Sequence, residues 1–453
     1  MACFAEGEGA GPFRLNRVRA PRLVCYYLAL EKISLTKGKL MANKQARILI
    51  IGGGFGGLFT ALDLAGSGEV TLVSPEDHFL FTPMLYEYLS GEVEAWHIAP
   101  QYKELLDERV RLIRGEVTEI DLGAREVTLR GRERREAYDV LILATGGITN
   151  YWNIEGAEEY ALPFRKLSHA DALRQRMVEA LDGVPPDAAP QDARRALTFA
   201  VVGAGASGVE LSTKMADLLH DAFNRRALKG EARVMVIEMG SSVVPGMGDE
   251  IRAIVEDALK RARVEIHTET RVMRVRKDGF TIEHNGEETD VEAAGVVWTG
   301  GVRVNPLIET LEVEKDRRGL ILVEPTLQVR GHREVFALGD IAFYKDATPT
   351  LAGTAQLANQ EASLLASNIK ALLDGRRLHA RQFVELGEAV SLGTENAAVL
   401  AGGKAFGGPL ARQARFALYT ARLPTWHHRL KVGASWFFEG TSPRPLQPLG
   451  FTR

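Results

Sequence analysis

Cysteine is scarce in this 453-residue chain: Cys3 and Cys25 are the only two, both upstream of its first recognisable folding unit. So few, so placed, they exclude a disulfide framework, a CxxC redox pair, a zinc cluster and a cysteine-ligated iron–sulfur centre. The compartment is expected to be reducing, and redox chemistry must come from a bound organic cofactor. Long apolar runs are also lacking. None approaches the roughly 18–20 residues that cross a bilayer, and residues 23–30 (LVCYYLAL) make a run of only eight. Neither sign of charge dominates, with 56 Lys and Arg against 59 Asp and Glu. The chain therefore lacks the basic surplus of a nucleic-acid binder.

Glycine is what the chain has in excess, at 45 residues. Residues 46–65 (ARILIIGGGFGGLFTALDLA) read as a buried strand, a glycine turn and an apolar-periodic helix. Gly52, Gly54 and Gly57 fit GxGxxG in the strand–turn–helix context that gives the motif meaning. The first glycine permits the tight turn, the second lets a pyrophosphate approach the backbone, and the third lets helix pack on strand. The helix N-terminus supplies amides and partial positive charge. The next strand, EVTLVS, ends on Ser74 where an acid usually bonds the adenosine ribose. Ser74 can offer one hydrogen bond, and Glu76 or Asp77 can reach round.

The pattern repeats in ALTFAVVGAGASGVELSTKMADLL, with strand Thr198–Val202 followed by Gly203, Gly205 and Gly208. Here the second strand does end on an acid, Glu238, which accepts from ribose hydroxyls and repels a 2′-phosphate. NADH is therefore expected over NADPH. Two further strands end in turns suited to a ligand: YDVLILATGGITN carries Thr145-Gly146-Gly147, and REVFALGDIAF carries Gly339-Asp340. A carboxylate at such a strand end is placed to bond a ribityl hydroxyl.

These signals predict an α/β fold of two Rossmann-type dinucleotide-binding domains. Residues 45–164 and 301–390 are expected to form an FAD domain, with 165–300 inserted as an NAD domain. Residues 270–301 carry Asp-Gly and Asn-Gly turn signals and read as hairpin strands. Residues 1–44 are expected to be an N-terminal extension, either a disordered arm or a mis-assigned start, because Met41 opens MANKQARILIIGGG. Residues 391–453 are expected to associate with a membrane. Between 404 and 438 lie six Lys and Arg, no acid, and aromatics that include Trp426, Trp436, Phe437 and Phe438. Such a composition suits an amphipathic segment lying on anionic lipid. Pro424 divides it into two helices. A homodimer contact or an acidic protein partner are the other readings of the same stretch.

In residues 353–361 (GTAQLANQE), Gln356 and Gln360 stand four apart, on one face of a helix. Alone, such a pair reads as a solvated surface. Together with GGGFGG, FLFTPMLYEYLSGEVEAWHIAP, VVGAGASGVEL, WTGGVRVNP, FALGD and LPTWHHRLKVGASW, however, the stretch resembles type II NADH:quinone oxidoreductases. The likeness covers roughly 46–438 and is greatest to the cyanobacterial and plastid branch, which includes demethylnaphthoquinone reductases. The resemblance implies FAD contacts at Gly52, Gly54, Phe55, Gly57, Thr82, Gly146 and Asp340, with the backbone at Ala355–Gln356 approaching the isoalloxazine. It implies NADH along Gly203, Gly205, Gly208, Glu210, Glu238 and Gly301. Glu210 matches a glutamate near nicotinamide and flavin; Gln356 and Gln360 match the paired glutamines at the quinone end.

The expected reaction passes hydride from NADH to flavin, then two electrons to a naphthoquinone. No proton is pumped, and the enzyme sits peripherally on the cytoplasmic face of the inner or plasma membrane, or a thylakoid or plastid equivalent. Two other readings stand beside this one: a soluble flavoprotein reductase of an electron-transfer protein, and an NADH-sensing flavoprotein.

Overall fold

The computed structural model describes residues 45–131, 135–345, 354–381, 383–384 and 387–446. The expected N-terminal extension, 1–44, lies outside them. Two five-stranded parallel sheets organise the rest. The first runs Val335–Ala337, Val140–Leu143, Arg47–Ile51, Glu69–Ser74, Val110–Arg114. Its strands are near-continuous apolar runs because parallel sheets are covered on both faces; Ile48, Leu49, Ile50 and Ile51 are all buried. The second runs Val264–His267, Arg233–Ile237, Thr198–Val202, Gly295–Trp298, Leu162–Pro163.

In each sheet the glycine turn follows the central strand, where chain order reverses and a crevice opens beyond the strands' carboxyl ends. Leu162–Pro163, assigned by sequence to the first domain, pairs with Gly295–Trp298 in the second sheet. The second sheet thus takes its edge strand from before residue 165. Gly147–Thr149 pairs antiparallel with Val302–Val304, so the two crossings between domains run side by side.

Hairpin strands occur where the turn signals lay, at Thr270–Arg276, Gly279–His284 and Glu287–Glu292. Asn285 and Gly286 both have positive φ, 53° and 83°, which a two-residue hairpin turn of this hand requires. Gly279 serves another purpose: a Cβ there would lie 2.2 Å from the Val291 carbonyl oxygen. A third antiparallel sheet, Glu388–Leu392, Asn396–Ala401 and Lys404–Gly408, leads into helices Pro409–Arg422 and Trp426–Glu439. The break between those helices contains Pro424, as its fixed φ and missing N–H require. Leu410, Trp426, Leu430, Phe437 and Phe438 project into solvent from this pair, the last two 82% exposed.

Candidate active site

The two glycine turns share one backbone plan. Gly52 has φ +104°, and a Cβ on it would stand 2.3 Å from the Ala144 carbonyl oxygen; Gly203 has φ +98° and would meet Gly300 at 2.8 Å. A Cβ on Gly57 would lie 1.8 Å from the Gly52 oxygen, and one on Gly208 would lie 1.8 Å from the Gly203 oxygen. Gly54 and Gly205 face open space in both turns. This is an anion cradle at the start of helices Phe55–Leu64 and Ala206–Arg225.

The strand ends differ. Ser74 turns inward: it is buried, with its Oγ 3.4 Å from the Tyr102 hydroxyl, which donates at 2.7 Å to the Gly53 carbonyl. The single hydroxyl that the sequence offers to a ribose has Tyr102 as its partner here. The half-exposed acid nearby is Glu76, ion-paired to Lys166 at 2.7 Å and held below the usual carboxylate range chiefly by that hydrogen bond. Glu238 accepts from the Ala204 and Gly240 amides, each at 2.8 Å, so its carboxylate is fixed against the second turn.

A cavity of about 880 Å³ lies between the two turns. Phe55, Thr82, Glu210, Asp340, Ala355, Gln356 and Gln360, dispersed over 306 positions of sequence, all line it. Phe55, Phe81 and Tyr419 give it aromatic walls, with ring centroids 5.4 and 5.6 Å apart in turn. Gly339, at φ +72°, turns the chain so that Asp340 enters the cavity, where the Arg165 guanidinium stands 3.8 Å away. Behind it, buried Glu361 accepts from the Gly339 amide at 2.8 Å and from the Tyr344 hydroxyl; burial lifts its pKa to about 7. Thr354 caps helix Ala355–Leu373 by accepting from the Leu357 amide at 3.1 Å. The positive end of that helix therefore meets the cavity. Thr145 and Gly146 sit at the end of strand Val140–Leu143, where Gly146 has φ +62° and open space before it.

The paired glutamines have a partner the sequence did not suggest. Gln360 donates to the Val384 carbonyl at 2.8 Å and accepts from its amide at 3.0 Å, while Gln356 reaches the same carbonyl at 3.4 Å. Gln360, placed by resemblance at the quinone end, has both polar atoms engaged with this backbone.

Glu210 connects the cavity to a buried ionic cluster. It accepts from the Ser391 amide at 2.8 Å and from Arg415 at 3.0 Å. Arg415 also donates to Glu87 at 2.7 Å, Lys214 lies 3.4 Å from Glu87 and bonds Glu92, and Arg412 reaches Glu92 at 2.7 Å. Three carboxylates are thus matched by three cations, with Glu87, Lys214 and Arg415 at most 1% exposed. Burial raises the Glu210 carboxyl to about 7, Arg415 opposing and Glu87 adding to the shift. For Glu87 burial acts the same way, but Arg415 and Lys214 more than reverse it and hold that carboxyl low.

Residues 46–362 match the pyridine nucleotide-disulphide oxidoreductase family. The demethylphylloquinone reductase of Synechocystis is 36% identical over 408 residues, covering 87% of this chain and 96% of that protein. A type II NADH:quinone oxidoreductase of Mycobacterium tuberculosis is 32% identical over 424 residues, 89% of each chain. The chain belongs to the type II NADH:quinone oxidoreductase family. The fold agrees: NDH2 of Plasmodium falciparum superposes with a TM-score of 0.79 over 89% of this chain and 100% of that one, at 18% identity.

Membership of this family implies an FAD-binding, NADH-using oxidoreductase, and the residues present fit both groups. The open turn at Gly54, the aromatic walls and the Asp340 carboxylate suit a flavin dinucleotide at the first sheet. The second cradle and Glu238 suit a nucleotide with a free 2′-hydroxyl. Among the described residues no helix is long and apolar enough to cross a membrane, and no side-chain cluster could hold a metal ion.

Sequence reasoning missed Tyr102, Glu87, Glu92, Lys214, Arg415 and Glu361 in this type II site. One signal was available. Arg415 shares a helical stripe with Ala411 and Tyr419, both buried, so a cation fell on the inward face.

Proposed function

We propose that the protein is an FAD-dependent NADH:quinone oxidoreductase whose acceptor is a membrane naphthoquinone, and that it pumps no protons. One observation carries this reading: the cavity beside the first glycine turn extends to Leu418, Tyr419, Pro424 and Arg429 of the C-terminal helices. A ligand entering past the exposed aromatic tail would reach the flavin site without crossing bulk water. The naphthoquinone preference rests on the identity with the Synechocystis demethylphylloquinone reductase.

In this reading, Gly52, Gly54, Phe55, Gly57, Thr82, Thr145, Gly146, Gly339, Asp340 and Ala355 hold FAD. Glu76 takes the ribose contact that inward-turned Ser74 gives up. Gly203, Gly205, Gly208, Glu238 and Gly301 hold NADH, and Glu238 disfavours a 2′-phosphate by charge. Bound flavin supplies the two-electron redox chemistry. The chain supplies position and electrostatics: the N-terminal end of helix Ala355–Leu373 favours negative charge in the cavity. Glu210 is poised near neutrality to take or give a proton at the cavity wall. Gln356 donates to a quinone carbonyl, and Gln360 fixes the Val384 backbone as part of the wall. The C-terminal helices rest on the lipid surface through Trp426, Leu430, Phe437 and Phe438, on the membrane face where NADH is available.

The test is anaerobic. NADH should bleach the flavin band of the purified protein, and menadione should restore it within the turnover time. A band that stays bleached after menadione would sink the quinone reductase reading.

A further inference from the structure

Trp152 is the anomaly of the second domain. It stands 63% exposed, and both it and Asn153 have positive φ, 54° and 55°, a conformation bulky residues rarely adopt. The surroundings hold it there. Its amide donates to Asn150 Oδ1 at 3.0 Å and its indole Nε1 donates to the Gly300 carbonyl at 2.6 Å. Asn150 is itself pinned: its amide donates to the Gly301 carbonyl at 3.1 Å, and its own carbonyl accepts from the Trp298 indole at 2.8 Å. Gly301, at φ +133°, must lack a side chain, since a Cβ would stand 3.0 Å from the Trp152 Nε1. An indole is thus laid against two glycines, at the cost of unfavourable backbone, where its remaining surface meets solvent.

The place decides what such a wall is for. Gly300 is the residue that a Cβ on Gly203 would strike, so Trp152 is one residue removed from the second anion cradle. Glu238 marks the adenosine side, beyond strand Arg233–Ile237 on one flank of Thr198–Val202. The other half of a dinucleotide must then run over the opposite flank, strand Gly295–Trp298, whose continuation is Gly300–Gly301. Val302, the next residue, already lines the large cavity.

We propose that Trp152 is a substrate-contact residue of the NADH site, an aromatic wall over Gly300–Gly301 against which the nicotinamide half packs on its way to the flavin. The proposal rests on the assignment of NADH to the second glycine turn. Its strained backbone is held for that purpose, because a relaxed conformation would withdraw the ring from the path.

The experiment titrates the holoprotein calorimetrically with NAD⁺ and, separately, with ADP-ribose, which lacks the nicotinamide ring. Trp152→Ala should weaken NAD⁺ about five- to ten-fold and leave ADP-ribose unchanged, the size expected of one aromatic stack. Trp152→Phe should recover most of the NAD⁺ affinity. In steady state the Ala variant should raise KM for NADH more than it lowers kcat. A second readout needs no Ala variant: NAD⁺ should quench the tryptophan emission of the wild type, and Trp152→Phe should remove most of that quench although four tryptophans remain of five. Equal weakening of both ligands, or no weakening of either, overturns the proposal. Failure of both ligands to bind the wild-type protein would overturn the NADH assignment itself, and the proposal with it.

Discussion

The two dinucleotide folds differ by a constant offset of sequence, Gly52 with Gly203, Gly54 with Gly205, Gly57 with Gly208. That offset aligns the turns and the helices after them; the ends of the adjoining strands, Ser74 and Glu238, correspond instead through Val73 and Ile237, which pair with Ile51 and Val202. Gly53, jammed against Tyr102, has Ala204 as its counterpart, whose amide is held by Glu238. Buried, neutral Ser74 stands opposite a fixed carboxylate at the second turn. On the helices that follow, Phe59 answers to Glu210, and both line the same cavity. One backbone plan for binding phosphate has been finished twice, once with apolar and hydroxyl groups and once with acids. The first finish suits a ligand that stays; the second suits one that must be chosen by charge and then released.

The largest effect should come from the glycines the two turns share. Gly52→Ala combines positive φ with a 2.3 Å clash and should abolish flavin retention, read as the ratio of flavin to protein absorbance. Gly203→Ala should keep the flavin but lose its reduction by NADH. If both variants lost flavin, the turns would not be functionally separate.

Glu210→Gln comes next. A carboxyl lifted to about 7 in the fold contributes stability that is fully present below its unfolded value and lost as pH rises through 7. The melting temperature of the wild type should therefore carry a downward slope across that window that is shallower in the Gln variant, where Glu361, also lifted to about 7, still contributes. Activity should likewise lose a titration near pH 7. A matched Phe59→Leu variant should alter neither profile.

Gly53→Ala should cost about 1–3 kcal/mol, because its Cβ would lie 1.9 Å from the Tyr102 hydroxyl and the core must shift. Chemical denaturation of Gly53→Ala beside Tyr102→Ala/Gly53→Ala checks it: the double variant should show no further loss from the added methyl. Glu238→Ala should raise KM for NADH and narrow its advantage over NADPH, by about 1–2 kcal/mol in kcat/KM. Ser74→Ala should leave that ratio untouched. Smallest is Tyr102→Phe, which removes the buried hydrogen bond to Gly53, worth about 1 kcal/mol, with the longer one to Ser74, and should appear only as a small fall in melting temperature.

The features legible in the sequence are those whose causes are local. A strand, a glycine turn and a helix lie within twenty residues, and Asn285-Gly286 needs only its own two φ angles. The cavity was legible in part, since Asp340 and Ala355 follow recognisable strand and helix boundaries. The ionic cluster was not, because its members are drawn from far apart: Arg415 and Glu87 are 328 positions distant, Lys214 and Glu92 122. Glu210 and Lys214, four apart on one helix, have the spacing of an ordinary surface pair, and nothing local says that this helix face is covered. The partner of Gln360 was hidden for the same reason, since Val384 is a loop residue 24 positions on.

Helix Pro409–Arg422 is usually the kind of element one would remove to make a membrane-associated enzyme easier to handle. Here the same helix carries Arg412 and Arg415 into the interior. A chain cut before residue 409 would leave Glu87, Glu92 and Glu210 with Lys214 alone, three carboxylates to one ammonium. Loss of the exposed aromatic surface and loss of the cavity wall cannot then be separated by truncation. On the proposal that this exposed surface meets lipid, single substitutions of Phe437 and Phe438, both 82% exposed, should weaken membrane binding while leaving the ionic cluster in place.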